Sequence, residues 1–185
     1  MKIATAVSIS AAVLVVVAGS AHAQMPPLPQ PGPEQEIFKS NAGTWDAVVE
    51  MSPGPGMPAM TSSGVETSTV GCGGLCLITD FKGELMPGVT FAGHGLTAYD
   101  SNKKKYVGSW SDSMSSGIQT SESTMDPSTK TLTGWMEGTD MNGAPMKSKM
   151  TSTYPDADHR VMTAFATGPD GKEFQTMKIT YTRRK

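Results

Sequence analysis

Stretches of alternating apolar and polar residues recur along this chain every 8–12 residues or so, the spacing of an all-β protein. They read TWDAVVEM, SSGVETSTV, LCLITDFKGEL, VTFAGHGLTAYD, KKYVGSWSDS, SGIQTSEST, KTLTGWMEG, MKSKMTSTY, RVMTAFATG and EFQTMKITYTR. Trp45, Ala47 and Val49 oppose Asp46 and Glu50; Met177, Ile179 and Tyr181 oppose Lys178 and Thr180. Leu75, Leu77, Phe81 and Leu85 share one face, with Lys82 and Glu84 on the other. One dry face and one wet face is the pattern of an antiparallel sheet.

The joints decide how these strands connect. DSNKK, MDPSTK, DMNGAP, YPDADH and GPDGK carry Pro, Gly, Asn and Asp, which favour tight turns. Short joints between successive strands give a meander, and a meander of about ten strands closes into an up-and-down barrel. The predicted fold is therefore all-β, an antiparallel barrel preceded by one short helix. PEQEIFKSNAG supplies that helix, with Pro33 in its first turn and Gly43 at its stop. The longest irregular loop is SPGPGMPAM, either a lid or part of the rim.

The first residues read as an export signal. Lys2 precedes the apolar run AAVLVVVAG, and AHA at Ala21–Ala23 fits a signal-peptidase site. The predicted divisions are residues 1–23 as signal peptide, 24–33 as a proline-rich linker and 34–185 as one barrel domain. Later segments contain no apolar run of the roughly 20 residues needed for a helical membrane span. Removing Lys2 takes the 15 basic residues to 14 against 17 acidic ones. That balance argues against nucleic-acid binding, which needs a basic field. An oxidising periplasmic or extracellular setting favours a bridge between Cys72 and Cys76 in CGGLC. Gly73 and Gly74 can supply the turn it requires, and so small a ring contributes about 2 kcal/mol.

The segment Phe91–Ser113 predicts a hairpin with a definite register. A two-residue loop at Asn102–Lys103 or a four-residue loop at Ser101–Lys104 gives the same pairing. Tyr99 then faces Tyr106, Gly95 faces Trp110 and Gly93 faces Asp112. Alternation puts Phe91, Tyr99, Tyr106 and Trp110 on one face, among Gly93, Gly95 and Gly108. His94 falls on the other. If the aromatic face is the interior, the glycines have two uses: packing space beneath an aromatic ring, or a hollow for a ligand. Asp112 would supply the hollow with a carboxylate.

These motifs also carry a resemblance. FAGHGLTAYD…KKYVGSWSDS, TKTLTG, DHRV, TGPDGKEF and ITYTRR resemble a secreted bacterial family defined only as a domain of unknown function, from about Thr44 to the C-terminus. The resemblance implies a lipocalin-like barrel and no assigned reaction. CGGLC and the methionine content look like departures from that family. GTW at Gly43–Trp45, after a short helix, together with Arg183 and Arg184, is similar to the opening and closing signature of lipocalin-type barrels. It implies that Trp45 closes the barrel floor beneath a stacked guanidinium.

The combined reading is an exported lipocalin-like barrel that binds a small, largely apolar molecule in its interior. Phe91, Tyr99, Tyr106 and Trp110 line the cavity and Asp112 makes a polar contact. No cofactor is expected, and no protein partner is indicated. Three alternatives stand beside it, the plainest a structural or partner-binding barrel with a filled interior. An enzyme on the same barrel could pair Asp112 with Glu122 for acid/base work, although no nucleophile elbow, zinc motif or phosphate loop occurs. His159 sits in the turn-like DADHR. A periplasmic copper binder could use thioethers, which select Cu(I). Thirteen of the 14 methionines follow Ala23, with Met51, Met57 and Met60 in one loop, Met57 and Met60 in its proline-rich part, and Met136, Met141, Met146 and Met150 further on. Methionine also fills irregular cores and adaptable pockets, and Met136 fits a strand core.

Overall fold

Each alternating segment forms a strand, and neighbouring strands pair antiparallel. In the computed structural model, described for residues 27–185 apart from Pro87, Met141 and Pro169, the ten strands are β1 (Gly43–Met51), β2 (Met60–Gly71), β3 (Cys76–Met86), β4 (Val89–Asp100), β5 (Lys105–Asp112), β6 (Gln119–Asp126), β7 (Thr131–Thr139), β8 (Pro145–Thr153), β9 (His159–Thr167) and β10 (Glu173–Arg183). They follow one another around a closed barrel, and β10 returns to pair with β1. Closure satisfies the hydrogen-bonding groups an open sheet would expose at its edges. The expected signal peptide, residues 1–23, lies outside the described residues.

Turn chemistry sets the joints. Asp100 Oδ1 accepts from the amides of Asn102 (2.9 Å) and Lys103 (3.0 Å), and Lys104 adopts φ 55°. The β6–β7 joint repeats the device, with Asp126 Oδ1 accepting from Ser128 N–H at 2.9 Å and Lys130 at φ 49°. Between β2 and β3, Cys72 and Cys76 are disulfide-bonded with Cα atoms 5.5 Å apart. Gly73 and Gly74 turn the chain there with φ of 65° and 97°, a region that costs a side chain energy. The proline-rich loop is shorter than expected, because pairing with Met51 makes Met60 the first residue of β2.

A single 3₁₀ turn (Pro33–Gln35) leads into α1 (Glu36–Asn41). Six residues make a marginal helix in water, so tertiary contacts must hold it. Phe38 is buried against Tyr106 and Leu77, and the Phe38 and Tyr106 rings meet edge-on at 6.1 Å. Tyr106 Oη donates to Glu34 O at 2.9 Å. This segment closes one end of the barrel.

Trp45 completes that floor. Its Nε1 donates to Asn41 O at 2.9 Å, and the Arg183 guanidinium lies 4.1 Å from the ring centroid. Arg183 also donates to Ala42 O (2.8 Å) and Ser40 O (2.6 Å), tying β10 to the helix end. A second cation, Arg160, lies 4.7 Å from the Trp45 centroid and 4.0 Å from that of Tyr181. It forms a buried ion pair with Glu66, which also accepts from Ser68 Oγ at 2.8 Å. Burial pushes the Tyr181 and Tyr154 phenols well above the usual range, so both stay neutral.

Candidate functional site

Register fixes which side chains face inward, because residues directly opposite on paired strands share a face. Between β4 and β5 the pairs are Tyr99 with Tyr106, Thr97 with Gly108, Gly95 with Trp110 and Gly93 with Asp112. The connecting loop is Ser101–Lys104. The aromatic face packs against the core and faces inward. His94 faces outward and is exposed, with Nδ1 2.8 Å from Asp80 Oδ1.

The barrel divides the five candidate residues between two levels. Tyr106 and Trp110 share a face but lie four residues apart, roughly 13 Å along a strand. Tyr99 and Tyr106 sit at the floor beneath α1, their rings 5.1 Å apart. Phe91 and Trp110 sit towards the open end by register, on a second cluster that runs up the wall from Trp45 and Tyr181 at the floor to Phe81, Val49 and Ile179. Phe91 meets Phe81 edge-on at 5.8 Å.

Trp110 forms the best-defined part of the open end. Its indole lies across Gly93 and Gly95: a Cβ on Gly93 would come 2.1 Å from Trp110 Cζ2, and one on Gly95 would come 2.9 Å from Cε3. The glycines therefore supply packing space. Asp112 completes the arrangement, with Oδ2 accepting from Trp110 Nε1 at 2.9 Å and Oδ1 from Met114 N–H at 2.9 Å. Both oxygens are engaged, so this carboxylate orients the indole and starts the β5–β6 loop.

The wall beside Trp110 carries a different chemistry. Gln119, its partner on β6, is only 7% exposed, and its Oε1 has no hydrogen-bond partner among the described residues. Further round, register places Met136 opposite Ser121 and Ser148, Met146 opposite Gly138, and Met150 opposite Gly134 and Ala164. Met51, Met162 and Met177 pack against the same cluster as Trp110. Unlike the sealed floor, Met51, Phe91, Trp110, Met136, Met146, Met150 and Met177 remain half-buried although they face inward. Solvent therefore reaches the upper interior.

Two open surface hollows lie elsewhere. One, of about 430 Å³, runs between the N-terminal segment and the β4–β5 loop and borders Tyr99. The other, about 250 Å³, surrounds Asp80, His94 and Ser111 on the outer wall. Neither is bordered by Phe91 or Trp110.

The carboxylate pair considered for acid/base work is not assembled. Asp112 lies opposite Gly93 on the inner face, whereas Glu122 lies opposite Val107 on the outer face. There Lys103 and Lys105 both donate to Glu122 and hold its carboxyl at about 2. Met57 and Met60 are also separated in role: Met57 stays in the exposed β1–β2 loop, and Met60 joins the β2 rim. Sequence reading missed Gln119, which looks like any polar residue at a strand start. Met51, which the sequence groups with the loop methionines, instead ends β1 and faces inward, one step beyond the Trp45–Ala47–Val49 alternation.

No curated protein matches this chain. Among solved structures, the S-type phycobiliprotein lyase CPES from Guillardia theta is similar at a TM-score of 0.56 and 12% identity, covering 82% of this chain and 93% of that one. A redesigned β-barrel aligns at a TM-score of 0.44 and 14% identity, covering 80% and 95%. The first likeness establishes a shared lipocalin-like barrel fold. Residues 30–183 match the family model described as "Protein of unknown function (DUF1579)", and the chain belongs to that family.

Proposed function

We propose that the protein binds a small, largely apolar molecule in the open half of its barrel, with Phe91 and Trp110 as the aromatic wall. The observation that carries this reading is Gln119: a buried carbonyl oxygen without a partner among the described residues, beside an accessible wall of aromatic rings and thioethers. An unpaired buried acceptor costs about 1–3 kcal/mol, which a ligand N–H or O–H would recover. Methionines suit such a wall because they repack around different shapes. Asp112 contributes by holding the indole, while Tyr99 and Tyr106 stabilise the floor. The fold shared with a phycobiliprotein lyase is consistent with small-molecule binding.

The same reading places the protein outside the cytoplasm, periplasmic or extracellular. The Cys72–Cys76 disulfide supports an oxidising compartment. Among the described residues no helix is long and apolar enough to cross a membrane.

The test is titration with 1-anilinonaphthalene, an apolar fluorophore carrying one N–H donor. Saturable one-to-one binding is expected, and Trp110→Ala and Gln119→Leu should each weaken it about tenfold, equivalent to roughly 1.4 kcal/mol. Unchanged binding in Trp110→Ala would refute the assignment.

A further inference from the structure

We propose that the barrel rim carries a site for a soft monovalent cation, Cu(I), formed by the thioethers of Met51, Met60 and Met177. The three occupy directly opposed positions on adjacent strands: Met51 on β1 pairs with Met60 on β2 and with Met177 on β10. Opposed residues share a face, with Cα atoms about 4.5–5.5 Å apart. The thioethers therefore project from one side of the sheet in a row. Met51 and Met177 are half-buried and Met60 is exposed, so the row runs from the interior wall to solvent.

Three flexible side chains in a row can converge on one ion. Thioether sulfur is neutral and polarisable, which suits Cu(I) and leaves Mg²⁺ or Ca²⁺ without the oxygen ligands they need. Among the described residues no group of three His, Cys, Asp or Glu is placed to hold a metal ion. The thioether row is therefore the metal-competent cluster to test. Binding adds an ion to a neutral site and requires no electron transfer. The site shares Met51 and Met177 with the thioether wall of the upper interior but uses none of Phe91, Trp110 and Gln119, on which the apolar ligand depends, so the two proposals can fail separately.

The experiment presents Cu(I) to the purified protein as its bicinchoninate complex under ascorbate, and Ag(I) as a redox-silent probe in native mass spectrometry. Methionine-to-leucine changes conserve volume and keep the packing. The protein should withdraw one Cu(I) and retain one Ag(I). Met60→Leu, at the exposed rim, should weaken binding at least tenfold. The combined Met51→Leu, Met60→Leu, Met177→Leu variant should abolish it, while Met136→Leu should leave it unchanged. The proposal is overturned if the wild type takes neither ion, if Met60→Leu and the triple variant both bind as the wild type does, or if Met136→Leu loses as much as Met60→Leu.

Discussion

Gly93→Ala should be costly for one reason alone, and that reason can be removed. The three atoms nearest a Cβ at this position all belong to the Trp110 ring, the closest at 2.1 Å. Ordinary carbon contacts are about 3.5–4.0 Å, so the indole must retreat by roughly 1.5 Å. That movement breaks the 2.9 Å hydrogen bond to Asp112. Overpacking costs about 1–3 kcal/mol, and loss of a hydrogen bond to a charged group about 1.5–3. The two overlap, so about 3 kcal/mol is expected. In a Trp110→Ala background the methyl has space, and replacing a strand glycine there should stabilise by roughly 0.5 kcal/mol. The coupling energy from the four-variant cycle is then about 3.5 kcal/mol. Urea unfolding followed by far-UV circular dichroism reads all four variants without relying on tryptophan. Equal cost of Gly93→Ala in both backgrounds would refute the placement of Trp110 and, with it, the aromatic wall.

Other outcomes follow from the same structure. Arg160→Met strands the buried Glu66 carboxylate and should cost about 3–5 kcal/mol, whereas adding Glu66→Leu should recover much of that in urea titrations. Lys130→Gly relieves a left-handed side chain worth about 1–2 kcal/mol against a glycine entropy cost of about 0.5–1, so thermal melts should show the variant up to a few degrees more stable. Glu122 has a folded pKa of about 2, below the ordinary 4.5, so its contribution is present above pH 4.5 and is lost as pH falls towards 2. Melting temperature measured across that window at low salt should fall less steeply in Glu122→Gln than in the wild type. Replacing Cys72 and Cys76 together with serine should cost about 2 kcal/mol in urea unfolding, because the bridged ring is small.

How much of this was legible in the sequence depends on the range of the interaction. Alternation and turn residues act locally, and they located ten strands in order, with β4 and β10 at their observed bounds. The β4–β5 register was legible because both loop lengths considered give one pairing. The Trp45 floor followed from a resemblance and has the stacked guanidinium it implied, in Arg183. Arg160, the second cation on that ring, was not foreseen, because nothing local marks an inward arginine whose partner is Glu66 on a distant strand. The height of residues within the barrel was equally hidden. Period-two alternation assigns a face but no level, so Tyr99 and Tyr106 were grouped with Trp110 although the barrel puts them at its floor. Asp112 reads in the sequence as a polar contact for a ligand because its actual partners, an indole two residues back and an amide two residues on, depend on the turn geometry.

The central claim is that the open half of the barrel holds a molecule against Phe91 and Trp110. Native mass spectrometry of protein purified from its own source without chelators tests it most directly. The expected spectrum shows a population heavier than the covalent chain, with an organic mass released by denaturing solvent and diminished in Trp110→Ala. A bare chain, together with no saturable uptake of apolar probes by the wild type, would contradict it.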